Sequence, residues 1–158
     1  MAALLNIPFR CALNIVKAES ETQTGKWIIE GFASISNSVD RQQDFITDQA
    51  IAQSSKELID QTVLFNHDVS RPIGRVIHSE ARPQGLFVRA EISKTEPEIW
   101  AKLKDRTLSK FSIRGRIMEA FTRFVEELQE DVTFINRMEL VEVSVVSFIL
   151  MLPTISPI

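Results

Sequence analysis

The sequence predicts an α+β domain built around a mostly antiparallel, closed β-sheet. Short runs of β-branched and aromatic residues recur along the chain, turn residues separate them, and two or three segments follow a helical period instead. Short strands interrupted by few helices are typical of this fold class. At 158 residues the chain has room for one domain with a substantial core. We expect this domain at residues 1–148 and a C-terminal tail at 149–158.

Segments that alternate in hydropathy, or are continuously apolar, are predicted as strands. They cover residues 9–18, 26–36, 62–65, 75–79, 86–92, 132–135 and 140–148. The first two are expected to form an antiparallel hairpin, in which Gly31 indicates a bulge or bend. Turns are predicted through Arg71-Pro72 and at Pro83-Gln84-Gly85. Another strand carries Ser112 and is predicted to give way to helix after Glu119, because the apolar residues that follow keep a helical spacing.

Two helices have recognisable start signals. The first is predicted to begin at Thr47 or Asp48, either of which can cap it, and to end near Asp60. The second follows Thr95-Glu96-Pro97-Glu98, which is a capping box with proline in the first turn.

Composition narrows the function classes. The net charge of −3 argues against nucleic acid as the main partner, since phosphate binding usually shows as a basic surplus. No stretch is long enough to cross a membrane, and residues 1–9 lack the basic region of a signal peptide. The single cysteine, Cys11, excludes an internal disulfide and is expected to be a buried structural residue. No metal-ligand spacing and no glycine-rich phosphate loop are present, so no metal or cofactor is expected.

The stretch Lys110-Phe111-Ser112-Ile113-Arg114-Gly115-Arg116 is the candidate site of chemistry. A serine nucleophile needs a neighbouring base and N–H donors that face the developing oxyanion. Gly115 between Arg114 and Arg116 fits an anion pocket shaped from backbone N–H groups. A Ser112 hydroxyl that is merely hydrogen-bonded within a sheet is the structural alternative.

His67 is the candidate base. It follows an apolar strand at its exit, where functional side chains tend to project. Asn66 and Asp68 beside it fit a solvated turn equally well. The second histidine, His78, lies inside a strand pattern and is interpreted as a structural or surface residue.

Glu142 is the most informative charge, because the strand around it is apolar on both faces. A buried carboxylate needs a partner, since burying it unpaired is costly. The partner is either an arginine, such as Arg137 or Arg116, or the imidazole of His67. The residues alone do not choose between these two interpretations.

With these residues laid out, the sequence resembles the prohead (procapsid maturation) proteases of tailed bacteriophages. The similarity covers most of the chain, and its motifs are specific in their order and spacing. They are Glu30-Gly31-Phe32-Ala33-Ser34, Val39-Asp40-Arg41 with Asp44, Leu64-Phe65-Asn66-His67-Asp68, Pro72-Ile73-Gly74, Gly85-Leu86-Phe87-Val88, Leu108-Ser109-Lys110-Phe111-Ser112-Ile113, and Leu140-Val141-Glu142-Val143-Ser144-Val145-Val146-Ser147-Phe148.

The resemblance implies a fold similar to the herpesvirus assemblins, a closed β-barrel surrounded by helices, and the activity of a serine endopeptidase. It implies Ser112 as nucleophile, His67 as general base and Glu142 as the residue that orients the base. The implied substrates are segments of the phage major capsid protein and scaffold, cut in the host cytoplasm inside the assembling procapsid, with self-cleavage as a further expectation. The assemblin resemblance also implies a homodimer, to which the apolar run at 117–128 would contribute.

Two departures from the family pattern stand out. Arg114 precedes Gly115 where members usually have glycine directly after Ser-Ile, and Phe148 is not followed by the usual Pro-Ala-Asn-Pro. The alternative function is a non-enzymatic capsid-assembly or scaffold-binding domain with the same fold. A small-molecule esterase is disfavoured, because the nucleophile elbow Gly-x-Ser-x-Gly is missing.

Overall fold

The computed structural model describes residues 7–36, 38–39, 43–147 and 156–157. These residues form ten strands and two short helices. The strands are β1 (Ile7–Ser20), β2 (Trp27–Ile35), β3 (Ser38–Val39), β4 (Asp44–Ile46), β5 (Thr62–Phe65), β6 (Asp68–Arg82), β7 (Gly85–Ile92), β8 (Lys110–Val125), β9 (Glu130–Val146) and β10 (Ser156–Pro157), and the helices are α1 (Asp48–Ser54) and α2 (Pro97–Lys104). The side chain expected to be buried at Cys11, and most of the expected tail at 149–158, lie outside what the structure describes.

The strands belong to one mixed sheet. Its order is β10-β3-β4-β9-β5-β6-β7-β2-β1-β8, and β8 also pairs with β9, so the pairings of the seven strands from β9 to β8 form a ring. Most neighbours are antiparallel, as the sequence predicts, but β9 runs parallel to both β4 and β5. The described residues are therefore mostly β-sheet with few helices. Neither helix in these ranges has the length and apolarity that crossing a bilayer requires.

The main hydrophobic core is formed by residues from several strands of the sheet. Residues on five different strands are completely buried in it: Ile29, Val63, Val76, Ile113 and Val143. A smaller cluster, formed by Val39, Val125, Val132 and Phe134, lies where the far ends of β8 and β9 meet β3 and β4. Burial of these side chains supplies the main driving force for the fold.

The prediction of the first hairpin is confirmed, and so is the irregularity at Gly31. β1 pairs antiparallel with β2, and the register shifts between Ile15 and Lys17, opposite Gly31. A Cβ at Gly31 would lie 2.7 Å from the carbonyl oxygen of Asn14, so the two strands approach too closely there for any side chain. The turn at Pro83-Gln84-Gly85 is also confirmed, with Gly85 at φ +146°.

The prediction of helix after Glu119 is wrong. β8 continues to Val125 and forms a long hairpin with β9, which is one strand where two were predicted. The helical spacing is misleading because both faces of this hairpin carry aromatic residues. Phe121 pairs directly with Phe134 and stacks on its ring at 5.2 Å between centroids.

The predicted turn through Arg71-Pro72 is wrong as well, since both residues lie within β6. Pro72 pairs with Leu64, whereas Asp68 pairs with Phe65, so β6 bulges between them. A bulge is one of the few places where a sheet accepts proline, which has no N–H to donate.

Helix α1 is shorter than predicted and helix α2 is capped differently. Thr47 caps α1 as expected, but the helix ends at Ser54, whose hydroxyl hydrogen-bonds to the carbonyl oxygen of Ala50 at 2.8 Å. Serine hydroxyls compete in this way with continued helix. The N-cap of α2 is Glu96, without a side-chain cap, because the Thr95 hydroxyl is instead hydrogen-bonded to that of Ser93.

Candidate active site

Ser112 lies near the start of β8 and is buried, with 2% of its surface exposed. Its neighbours Phe111 and Ile113 are fully buried. Alternate residues of a strand share a face, so Ser112 and Arg114 project together. In the antiparallel pairing with β9, Ser112 is opposite Ser144 and Arg114 is opposite Glu142. The register therefore collects four polar side chains on one face of two apolar strands.

His67 lies in the two-residue turn that joins β5 to β6. Asn66 has φ 50° and His67 has φ 60°. Two-residue hairpin turns of type I′ require a positive φ at both central positions, which suits asparagine but strains most other residues. The Asn66 carboxamide oxygen accepts a hydrogen bond from the backbone N–H of Ser147 at 2.9 Å, which fixes the turn to the end of β9.

The geometry joins the three residues that the sequence singles out. The Nε2 atom of His67 is 2.9 Å from the Oγ of Ser112, and its Nδ1 is 2.5 Å from the Oε1 of Glu142. Neutral imidazole carries one hydrogen, so donation from Nδ1 to the carboxylate leaves Nε2 free to accept the serine proton. Both side chains are 11% exposed, which keeps most water away from the pair.

Glu142 has two further partners. Ser144 donates its hydroxyl to Oε1 at 2.8 Å, and the Nη2 of Arg114 lies 3.0 Å from Oε2. The two interpretations left open by the sequence are therefore both realised, with His67 and an arginine binding the same carboxylate. The arginine is Arg114 and not Arg116 or Arg137, because only Arg114 is directly opposite Glu142 in the register.

The three residues of the expected anion pocket take different positions. Arg114 contacts Glu142, and its Nε is buried without a hydrogen-bond partner among the described residues. Gly115 is opposite Leu140, beyond a register shift that leaves Val141 without a partner on β8, and the exposed Arg116 is opposite Glu139. Of the three, the structure brings Arg114 to the Ser112–His67–Glu142 group.

The residues around His67 also have defined surroundings. Asp68 is exposed, and hydrogen bonds from the side chain and backbone of Ser70 lower the pKa of its carboxyl, so it is ionised next to the turn. His78 is exposed, with its Nε2 3.2 Å from Oε2 of Glu80, which agrees with its interpretation as a surface residue. The residue that the sequence reasoning missed is Ser144. Its signal was the polar side chain two positions after Glu142, on the same face of an otherwise apolar strand.

Comparisons with known proteins relate the chain to phage proteases. The family model described as caudovirus prohead serine protease matches residues 13–154. The prohead protease of Escherichia phage T5 is 35% identical over 153 residues, which is 91% of this chain and 68% of that protein. The solved capsid assembly protease of bacteriophage T4 has a TM-score of 0.68 at 12% identity, covering 90% of this chain and 98% of that one. At 12% identity, the similarity to the T4 structure supports the fold alone.

The family match spans most of the chain, and the similarity to the T5 protease covers 91% of the chain and about two thirds of that protease. The chain therefore belongs to the caudovirus prohead serine protease family, whose proteases act in the maturation of phage procapsids.

Proposed function

We propose that the chain is a serine endopeptidase in which Ser112 is the nucleophile, His67 the general base and Glu142 the residue that orients the base. The observation that carries the proposal is the unbroken series of hydrogen bonds from the Ser112 hydroxyl through the imidazole to the Glu142 carboxylate, at 2.9 and 2.5 Å. A hydroxyl, a base and an orienting group in this order are the parts that nucleophilic serine catalysis needs.

The proposed reaction runs in two halves. As the Ser112 oxygen attacks the scissile carbonyl carbon, Nε2 of His67 takes the hydroxyl proton, and the carbonyl oxygen becomes an oxyanion. The tetrahedral intermediate collapses, the C–N bond breaks, and His67 gives its proton to the leaving amine. Water then attacks the acyl-enzyme with His67 as base again, which releases the second product and restores Ser112. Glu142 stabilises the imidazolium in each half.

Arg114, Gly115 and Arg116 remain our proposed anion pocket, with Arg114 as its main member. Its guanidinium is anchored by Glu142 through Nη2, while the buried Nε has no partner among the described residues. A donor without a partner beside the nucleophile is suited to negative charge that develops during the reaction. Backbone N–H groups of this stretch would add to it.

The proposed substrates are segments of the phage major capsid protein and scaffold, cut inside the assembling procapsid in the host cytoplasm. The family and the names of the T5 and T4 relatives support this proposal. Self-cleavage is part of the same proposal. We also infer that the ring of strand pairings is the closed barrel expected from the assemblin resemblance, because each of its seven strands has two paired neighbours.

The alternative, a non-enzymatic assembly domain with the same fold, is less well supported. A protein without turnover has no need to bury a charged glutamate against a histidine that faces a serine hydroxyl. Replacement of Ser112 separates these two functions directly.

We predict that Ser112→Ala lowers cleavage by a factor of about 10⁴ or more while the domain stays folded, because losing the nucleophile of a serine–histidine site removes most of the rate enhancement. The assay is co-expression with the matching capsid and scaffold proteins, followed by mass spectrometry of new termini. Ser34→Ala is the matched control, since Ser34 is also fully buried but has no hydrogen-bond partner among the described residues. Cleavage by Ser112→Ala within tenfold of the parent would reject the assignment.

The second prediction concerns His67, whose backbone is in the left-handed region, and compares its replacement by alanine with its replacement by glycine. His67→Ala and His67→Gly should both lose several orders of magnitude in activity, as other serine–histidine enzymes do. In chemical denaturation His67→Gly should be more stable than His67→Ala by about 1 kcal/mol, because glycine adopts φ 60° without strain. His78→Ala, at the exposed second histidine, should change neither quantity. Equal stability of the two His67 variants would contradict the strained turn, and retained activity would contradict the role as base.

Glu142→Gln should be slow but stable. The comparable change in a Ser-His-Asp enzyme costs about 10⁴ in turnover, and we expect roughly 10²- to 10³-fold here, because assemblin-like sites accept a neutral third member. Arg114 is 36% exposed, so it stays hydrated when the carboxylate is removed, and the loss of stability should be about 1 kcal/mol. Glu139→Gln on the same strand is the exposed control. An unstable variant with normal turnover per folded molecule would assign Glu142 to structure alone.

We further propose a homodimer whose interface includes the apolar run at 117–128, which begins near the middle of β8. Ile117 and Val125 of the apolar run are buried, whereas Phe121 and Phe124 remain 48% and 55% exposed. Sedimentation should detect a dimer at micromolar concentration that Phe124→Ser weakens, while Val16→Ser, at another exposed apolar residue, should not. A fully active monomer at high micromolar concentration would contradict the dimer.

A further inference from the structure

Ser144 connects the backbone of His67 to the side chain of Glu142. It lies on β9 and is completely buried, with Ser112 of β8 opposite it on one side and Leu64 of β5 on the other. Its hydroxyl oxygen accepts a hydrogen bond from the backbone N–H of His67 at 3.1 Å. The same hydroxyl donates to Oε1 of Glu142 at 2.8 Å.

The directions of these two hydrogen bonds are fixed by chemistry. A backbone N–H can only donate, and an ionised carboxylate can only accept. The hydroxyl has one hydrogen, which therefore points to Glu142, and one of its lone pairs receives the N–H of His67. Ser144 is thus oriented by both partners and in turn orients both.

His67 needs such a contact because its backbone is strained. A residue other than glycine at φ 60° costs about 1 kcal/mol or more, and it persists only where surrounding contacts hold it. Asn66 is held by Ser147, and the N–H of His67 is held by Ser144. These two contacts fix both central residues of the turn to the end of β9.

We propose that Ser144 is a positioning residue for catalysis, which sets the base and its orienting carboxylate relative to each other. This inference rests on the proposed function of Ser112, His67 and Glu142. Oε1 of Glu142 receives both the Ser144 hydroxyl and Nδ1 of His67, so a shift of Ser144 displaces the acceptor and the base together. The 2.9 Å approach of Nε2 to Ser112 then depends on a side chain whose own hydrogen bonds go to His67 and Glu142.

Other buried serines of the sheet show that this arrangement is not a requirement of packing. Ser34 and Ser79 are buried on β2 and β6, and their hydroxyl oxygens have no hydrogen-bond partner among the described residues. The fold therefore accepts serine at a buried sheet position without any such bonds. Ser79→Ala consequently measures what removing a buried hydroxyl does to the sheet itself.

The test compares Ser144→Ala with Ser79→Ala on a peptide that spans the cleavage site mapped by mass spectrometry. For Ser144→Ala we expect kcat to fall about tenfold, equivalent to about 1.4 kcal/mol, with KM within twofold of the parent. Ser79→Ala should leave both constants unchanged. An equal effect of the two substitutions on kcat would overturn the proposal.

A second readout does not depend on turnover. The chain has two histidines, so a protein labelled with ¹⁵N-histidine gives two ring systems, and the exposed His78 serves as internal reference. The Nδ1 proton of His67 should resonate far downfield in the parent and broaden or shift upfield in Ser144→Ala, with His78 unchanged. An unchanged His67 signal would overturn the proposal. If Ser144→Ala unfolds, Ser144→Cys replaces it, because a thiol keeps a similar volume but is a weak donor.

The two readouts also separate this inference from the proposed function. Loss of cleavage in Ser112→Ala together with normal kcat in Ser144→Ala rejects the role of Ser144 alone. Cleavage that continues in Ser112→Ala rejects the proposed function, and the ring spectrum then decides whether Ser144 positions His67.

Discussion

The contacts among Ser112, His67 and Glu142 depend on β9, which pairs with a different strand along each of its two edges. One edge of this strand pairs antiparallel with β8, and the other pairs parallel with β5, so a single strand lies between the serine and the histidine. Parallel pairing places the exit of β5 at the carboxyl end of β9, where the Asn66–His67 turn bends back over Glu142 and Ser144. An antiparallel β5 would exit at the opposite end. The mixed sheet is therefore the feature that brings the His67 imidazole, at the exit of one neighbouring strand, to the Ser112 hydroxyl on the other.

The buried carboxylate imposes a second constraint. An ionised glutamate in an apolar sheet is tolerated only when its oxygens are satisfied, and breaking such an arrangement is costly. Glu142 meets this condition with three groups that come from β8, β9 and the β5–β6 turn: Arg114, Ser144 and His67. The same contacts that make the charge tolerable also fix the imidazole. Stability and orientation are thus provided by one set of hydrogen bonds.

Much of the candidate site could be predicted from the sequence, because its members stand out locally. Thr62–Phe65 is a strand as predicted, and His67 follows its exit; Glu142 is conspicuous as a charge in an apolar strand. His67 was one of the two partners considered for that charge, but the arginine that binds it, Arg114, was not identified, since cross-strand register depends on bulges that the local sequence does not reveal. The long β8–β9 hairpin was missed for a related reason. The apolar residues at the end of β8 keep a helical spacing. Only the pairing of Phe121 with Phe134 shows that this segment is a strand beside β9.

A β-bulge lies directly next to the candidate site, in the long hairpin of β8 and β9. Arg114 pairs with Glu142 but Gly115 pairs with Leu140, so Val141 is the extra residue on β9. A register slip of one residue would move every side chain of a strand to the opposite face and would separate Ser112 from Ser144 and Arg114 from Glu142. Because the shift comes after Arg114, the rest of the hairpin, with its own irregularities near Ile117 and Glu119, follows a different register without disturbing these pairs. The four polar residues thus occupy a short, regular stretch of β8 and β9, and the irregularities of the hairpin lie on one side of it.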